Sequence, residues 1–353
     1  MTDDVGALTT AQRFHRLIAA TGPISLAHFM GESNARYYAE KDPLGSKGDF
    51  VTAPEISQMF GELVGLWLAD LWIRAGRQED PVYVELGPGR GTLARDALKA
   101  MGRYGLTPAV HFVEGSAALK EVQMKTVPDA LWHDDLSRVP DYGPLLLVAN
   151  EFLDALPVRQ LVMTGEGWRE VMVASDGQRF SLVAGGQPMD GAVPEARRSA
   201  EAGTVIETCP GAAAVMFEAA GRLAQQGGAA LFVDYGHIDA RTGATLQAVR
   251  DHRKVDPLAM PGEADLTAHV DFHQLAQVAT SRGAKLAGLT TQGRFLSALG
   301  IEARAQALSE FAPHHAGALH SAKDRLVSPV QMGELFKVMG LTGTDWPEAL
   351  GFD

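Results

Sequence analysis

Glu85 stands two residues before a glycine-dense turn, Gly87-Pro88-Gly89-Arg90-Gly91. Glycine removes the Cβ where a ligand must approach the main chain, and it admits positive φ. The apolar and aromatic run Val82-Tyr83-Val84 leads into the turn, and Thr92 to Ala100 reads as a helix after it. Strand, glycine turn and helix together open a nucleotide-binding α/β fold. A dinucleotide fingerprint places its third glycine three residues after the second, and Thr92 occupies that position here. A pyrophosphate on the helix N-terminus would also be opposed by a carboxylate at Glu85. S-adenosylmethionine carries no phosphate; its sulfonium and ammonium groups are cationic and suit that acid. An NAD oxidoreductase is disfavoured on the same grounds.

Further acids follow at the ends of apolar runs. His111-Phe112-Val113 ends in Glu114, placed to take a pair of ribose hydroxyls. Trp132-His133-Asp134-Asp135 offers Asp134 or Asp135 to an exocyclic adenine amine, although Asp pairs are also common in turns. The buried run Leu145 to Ala149 is followed by Asn150-Glu151-Phe152-Leu153-Asp154, and Ala229 to Asp234 ends in another acid. Ligands in open α/β sheets bind at such carboxyl ends. The histidines show no zinc spacing, so no metal is expected; His269 and His273 alone are four apart. Neither a phosphate-loop lysine nor a G-x-S-x-G elbow occurs.

Several separated motifs carry a resemblance to a known family. Gly48-Asp49-Phe50-Val51-Thr52-Ala53-Pro54-Glu55-Ile56-Ser57, the glycine turn, Asn150 to Pro157, Leu231-Phe232-Val233-Asp234-Tyr235-Gly236-His237, Asp265 to Phe272 and Thr291 to Leu296 resemble the MidA-like class I methyltransferases. The resemblance runs from about residue 12 to residue 342; Ala53 departs from it, standing where a serine is expected. It implies a Rossmann-like class I methyltransferase sheet, α/β, mostly parallel and seven-stranded. A helical N-terminal segment and small antiparallel and loop insertions complete that fold. It implies S-adenosyl-L-methionine as cofactor, with Glu85, Gly87, Gly89 and Gly91 matching the cofactor turn and Glu114 the ribose acid; Pro88 in the turn and Asp134, Asp135 and Asn150 at the strand ends join the cofactor side on position alone. The family includes a mitochondrial complex I assembly factor that methylates an arginine, so a protein arginine on a respiratory complex I core subunit is the implied acceptor.

Methyl transfer from a sulfonium needs alignment more than a strong nucleophile. Orientation alone supplies on the order of 7–11 kcal/mol of such barriers. A guanidinium acceptor stays cationic in water, and paired carboxylates can grip it bidentately. Glu151 and Asp154 form the first candidate pair, Asp49 and Glu55 the second. Acids at that place also complement a helix dipole. His237 and His269 either relay the departing proton or hydrogen-bond their loops. Two other readings stay open: transfer to a different nucleophile, and a non-catalytic assembly chaperone that keeps the fold.

These residues need a scaffold. A chain of 353 residues that is 46% hydrophobic can bury a large core. Residues 10–40 read as helices broken at Gly22-Pro23, 41–54 as a loop, and 56–75 as a long helix capped by Ser57 or Thr52. The nucleotide core begins at Pro81. Alternating apolar residues from Val158 to Val183, interrupted by Gly165-Glu166-Gly167 and Asp176-Gly177, predict antiparallel hairpins. Residues 184–203 read as loop, 217–225 as helix, and 237–268 as a long irregular lid or substrate loop. A helix at 272–282, a strand at 285–291 and a closing segment at 331–341 follow. The expected partition is a helical segment with substrate loop at 1–78, a methyltransferase core at 79–342 with insertions at 158–205 and 237–268, and a tail at 343–353.

A net charge of −12 disfavours nucleic acid and favours a basic protein segment or a cationic ligand. The single cysteine, Cys209, allows no internal disulfide. No run approaches the roughly 18–20 apolar residues of a membrane helix. Met1-Thr2-Asp3-Asp4 matches neither a secretory signal nor an Arg-rich transit peptide, which predicts a bacterial cytoplasmic enzyme.

Overall fold

The apolar runs that precede the strand-end acids line up side by side. In the computed structural model, which describes residues 8–40, 52–193, 195–250 and 253–352, five of them join two further strands in one sheet. The strands are β1 (Val82–Leu86), β2 (Ala109–Val113), β3 (Leu131–His133), β4 (Leu145–Asn150), β5 (Gly228–His237), β6 (Lys285–Thr291) and β7 (Phe336–Thr342). Their spatial order is β3-β2-β1-β4-β5-β7-β6, and β7 runs antiparallel to both of its neighbours. The remaining neighbours pair in parallel. Val270–Asp271 adds a short parallel pairing at the end of β5. The central strands are unbroken apolar runs because both faces of a parallel sheet are covered; β1 is buried at every residue. Chain order reverses between β1 and β4, so their carboxyl ends flank a switch-point crevice.

The chain divides into two compact units: Asp42–Asp154 with Ala212–Ala240 and His269–Asp353 in one, and Met1–Lys41 with Ala155–Gly211 and Arg241–Ala268 in the other. The long helix before the glycine turn thus falls in the same unit as the sheet. That helix is also broken at Ser57, into α1 (Ala53–Ile56) and α2 (Gln58–Arg74), because Ser57 turns extended and caps α2 by accepting from Met59 N–H. Gly61 and Gly65 let α2 lie against the helix after the glycine turn, α3 (Thr92–Gly102): a Cβ on Gly65 would stand 2.4 Å from the Ala97 carbonyl oxygen.

The described residues after β7, 343–352, pack onto the core. Trp346 is buried and Phe352 packs against the same core, while Trp67 Nε1 donates to the Leu350 carbonyl. Between β6 and β7 lie helices Gln292–Ala298, Ile301–Phe311, Ala316–Val327 and Met332–Leu335. The pair Arg304–Glu62, bidentate at 2.7 Å, joins one of them to α2.

The other unit holds helices Thr10–Thr21 and Leu26–Glu40, the first with a capping box between Thr9 and Gln12. The expected hairpins form from Arg159–Thr164, Gly167–Ser175 and Phe180–Pro188, with Ile24–Ser25 and Val205–Thr208 at the margins. Part of the stretch read as loop, up to Pro188, is therefore strand. The stretch read as irregular, 237–268, contains a three-stranded sheet of Gln247–Arg250, Arg253–Val255 and Asp265–Thr267. Buried Ala248 and Leu266 fix it, and Asn34 staples it by donating to Leu266 O and accepting from Leu266 N–H. So few buried residues give no readable period. The helix expected at 217–225 begins earlier, at Pro210, because the Gly211-Ala212-Ala213-Ala214 run carries little amphipathic signal.

Candidate functional site

β1 ends at Leu86, and the chain then bends sharply. Gly87 has φ +60° and a Cβ there would stand 2.8 Å from Phe152 Cδ2, so the position is closed to other residues on two counts. Gly91 caps α3 from the left-handed region, donating its N–H to Pro88 O at 2.8 Å, with Gly89 between them. The glycines add no side chains of their own to the turn, while the Phe152 ring packs against Gly87 and Gln123 reaches Gly89 O.

Glu85 lies beneath that turn, 3% exposed. Its carboxyl accepts from the Tyr83 hydroxyl at 2.7 Å and from Ala94 N–H in the first turn of α3. Burial outweighs these bonds and pushes the carboxyl up to about 8. Glu85 is thus tied to Tyr83 on its own strand and to the start of α3.

Glu114 follows β2 directly. It accepts from Ser116 N–H at 2.7 Å and from Gln123 Nε2 at 3.0 Å, and burial raises its pKa. Gln123, fully buried, also donates to Gly89 O at 2.7 Å and accepts from Trp132 Nε1 at 2.8 Å. A single amide thus ties the acid after β2 to the glycine turn and to β3. Sequence reasoning missed Gln123; a lone glutamine in an amphipathic helix gives no signal. Asp134 and Asp135 sit at the end of β3 and face outward. Asp134 is 81% exposed by side chain, 3.6 Å from Lys120, and Asp135 bonds Ser137. Behind them His111 Nδ1 and His133 Nε2 lie 2.8 Å apart, and burial lowers the pKa of both rings, that of His111 to about 4.

Beyond β4, Glu151 takes φ +51°, a conformation that costs a non-glycine residue of order 1–3 kcal/mol. It is held there from several sides. Its N–H donates to Val233 O, and its Oε1 accepts from Ala53 N–H at 3.3 Å and Asn150 Nδ2 at 3.1 Å. Asn150 Oδ1 is buried with no hydrogen-bond partner among the described residues. On the same short helix α1, Glu55 accepts from the Thr92 hydroxyl at 2.5 Å. α1 therefore bridges the glycine turn and the end of β4, bringing Glu55 and Glu151 into one cluster. Asp154, 5% exposed, closes the Glu151 loop.

His237 ends β5; its Nδ1 lies 2.8 Å from Asp239 O, so that nitrogen carries the proton and Nε2 is the acceptor. Asp271 Oδ1 is 3.9 Å from the same nitrogen. His269 precedes Val270–Asp271, and the helix Phe272–Ser281 starts after it, so His269 and His273 do not share a helix face. Asp49 lies outside the described residues.

A family model for S-adenosyl-L-methionine-dependent methyltransferases matches residues 63–290. The mitochondrial protein arginine methyltransferase NDUFAF7 of Mus musculus is 38% identical, over 92% of this chain and 82% of its own. The Homo sapiens protein of that name is 37% identical, over 92% and 81%. A Burkholderia thailandensis protein crystallised with S-adenosyl-homocysteine superposes with a TM-score of 0.83 at 29% identity, over 97% of this chain and 93% of that one.

Proposed function

The chain belongs to the MidA-like family of S-adenosyl-L-methionine-dependent methyltransferases, and from that premise we propose that it methylates an arginine side chain of a protein. The observation that carries this reading is Glu151, a carboxylate held in a strained conformation at the switch point and bonded to the same short helix as the glycine turn. The relatives' printed activity supports the acceptor.

The residues present suit the cofactor. Gly87, Pro88, Gly89 and Gly91 would cradle it, and Glu114 would take ribose hydroxyls. The unmatched acceptor Asn150 Oδ1 would take an N–H. Asp134 and Asp135 would meet the adenine from the outside, and Glu85 would act through the turn it supports. The bound cofactor supplies an activated methyl group, so the protein has only to align an acceptor nitrogen. Glu151, with Asp154, would bind the guanidinium and hold charge as one nitrogen localises its lone pair. Glu55 is drawn to Thr92 and serves the cofactor side. His237 Nε2, an acceptor, would take the departing proton, with His269 as its alternative.

We further propose a respiratory complex I core subunit or its bacterial counterpart as the client, and a bacterial cytoplasm as the place where they meet. No described helix is long and apolar enough to cross a membrane.

The test is transfer of labelled methyl groups into a lysate, with mass spectrometry of the products. Label on arginine is expected. Glu151→Gln should cut transfer by roughly 100-fold or more while leaving S-adenosylhomocysteine affinity near wild type. Label confined to another residue type, or full activity in the variant, would overturn the assignment. Binding of a client without any turnover would favour the chaperone reading.

A further inference from the structure

One buried acid organises the loop that carries Glu151. Asp234, 1% exposed on β5, turns its Oδ2 to consecutive main-chain N–H groups: Phe152 at 3.1 Å, Leu153 at 2.8 Å and Asp154 at 3.2 Å. Its Oδ1 accepts from Tyr235 N–H at 2.9 Å. Convergent N–H groups of this kind form an anion-binding concavity. Here the acceptor is the protein's own Asp234 carboxyl, contributed by the neighbouring strand; β5 and β4 pair as far as Val233 and Asn150. The nest begins directly after Glu151, whose left-handed backbone starts the curl, and it presents Phe152 to Gly87.

We propose that Asp234 is a positioning residue for methyl transfer, fixing the 151–154 loop so that Glu151 and Asp154 meet the acceptor in one geometry. The proposal rests on the reading of those two acids given above. Misplacement of a reacting group by about 1 Å costs on the order of 100-fold in rate. An acid gathered by so many donors holds its loop far more narrowly than main-chain pairing at Glu151 N–H alone. An amide at 234 would retain shape yet offer a single oxygen where two carboxyl oxygens now face four donors. Burial and the charge of Glu151 push the Asp234 carboxyl up to about 8, against those donors, so the two acids feel each other as well as sharing a loop.

The experiment is a double-mutant cycle on the full chain with Asp234→Asn and Glu151→Gln, read by kcat, KM for S-adenosylmethionine and thermal unfolding. Asp234→Asn should lower kcat roughly 10- to 100-fold with KM for the donor changed less than about threefold. In the Glu151→Gln background the same change should do almost nothing, because it acts through Glu151. Additive losses, or a wild-type kcat in folded Asp234→Asn, would overturn the proposal. Amide exchange on the wild-type protein guards against a variant that fails to fold. The amides of residues 152–154 should exchange slowly, and rapid exchange there would refute the nest. An inactive wild type with protected amides would instead count against the arginine reading, and the nest would stand.

Discussion

Glu85 keeps its proton at neutral pH, since burial pushes its carboxyl up to about 8 from an ordinary 4.5. The folded state then binds more protons than the unfolded one between those values. The stability contributed by the protonated acid is complete below about 4.5 and is lost as pH rises through about 8. Urea unfolding across that range should show Glu85→Gln flattening the decline; parallel curves would place the proton elsewhere. Gly87→Ala should cost about 1–2 kcal/mol for φ alone, with further loss from Phe152, and should weaken S-adenosylhomocysteine binding in calorimetry. The glycines and the acid before them were legible because a turn fixes its residues by local backbone geometry. Gln123 and Asp234 as a loop anchor were not. Their partners, Gly89 and residues 152–154, lie far along the chain and meet them only through strand adjacency. Glu85 was legible as an acid of the turn, but its burial under α3 depends on packing.

At the scale of elements, α2 and α3 touch through glycine. Gly65→Ala would drive a methyl group into the Ala97 carbonyl, and overpacking of that kind typically costs 1–3 kcal/mol. Chemical denaturation should read a loss at or above that range; an unchanged midpoint would mean that the helices can separate cheaply. The strands of the sheet could be read from the sequence, since buried parallel strands leave continuous apolar runs. The hairpins could be read too, from Gly167 and Gly177 at left-handed turns. Invisible were the helices between β6 and β7, whose half-exposed faces alternate weakly. So was the sheet at 247–267, where one or two buried residues per strand give no period. α1 was hidden as well, being a single turn started by Pro54.

For the whole molecule, burial reaches the last described residues. Trp346 is 3% exposed, and Trp346→Ala should destabilise the fold by about 3–5 kcal/mol, read as a fall in Tm. A Tm within a degree of wild type would show that residues 343–352 contribute little. The partition could be read from sequence only as a succession of segments, whereas compactness interleaves them, each unit being assembled from separated pieces. This matters during synthesis. Phe14, Ile18, Leu26, Phe29 and Met30 share their core with Val158, Val173, Ala248 and Leu266. At 5–20 residues per second, a ribosome needs on the order of ten to fifty seconds to reach the last of those partners. Through that interval the nascent chain trails an oily N-terminal helix pair without its cover, an early and lengthy target for holding chaperones.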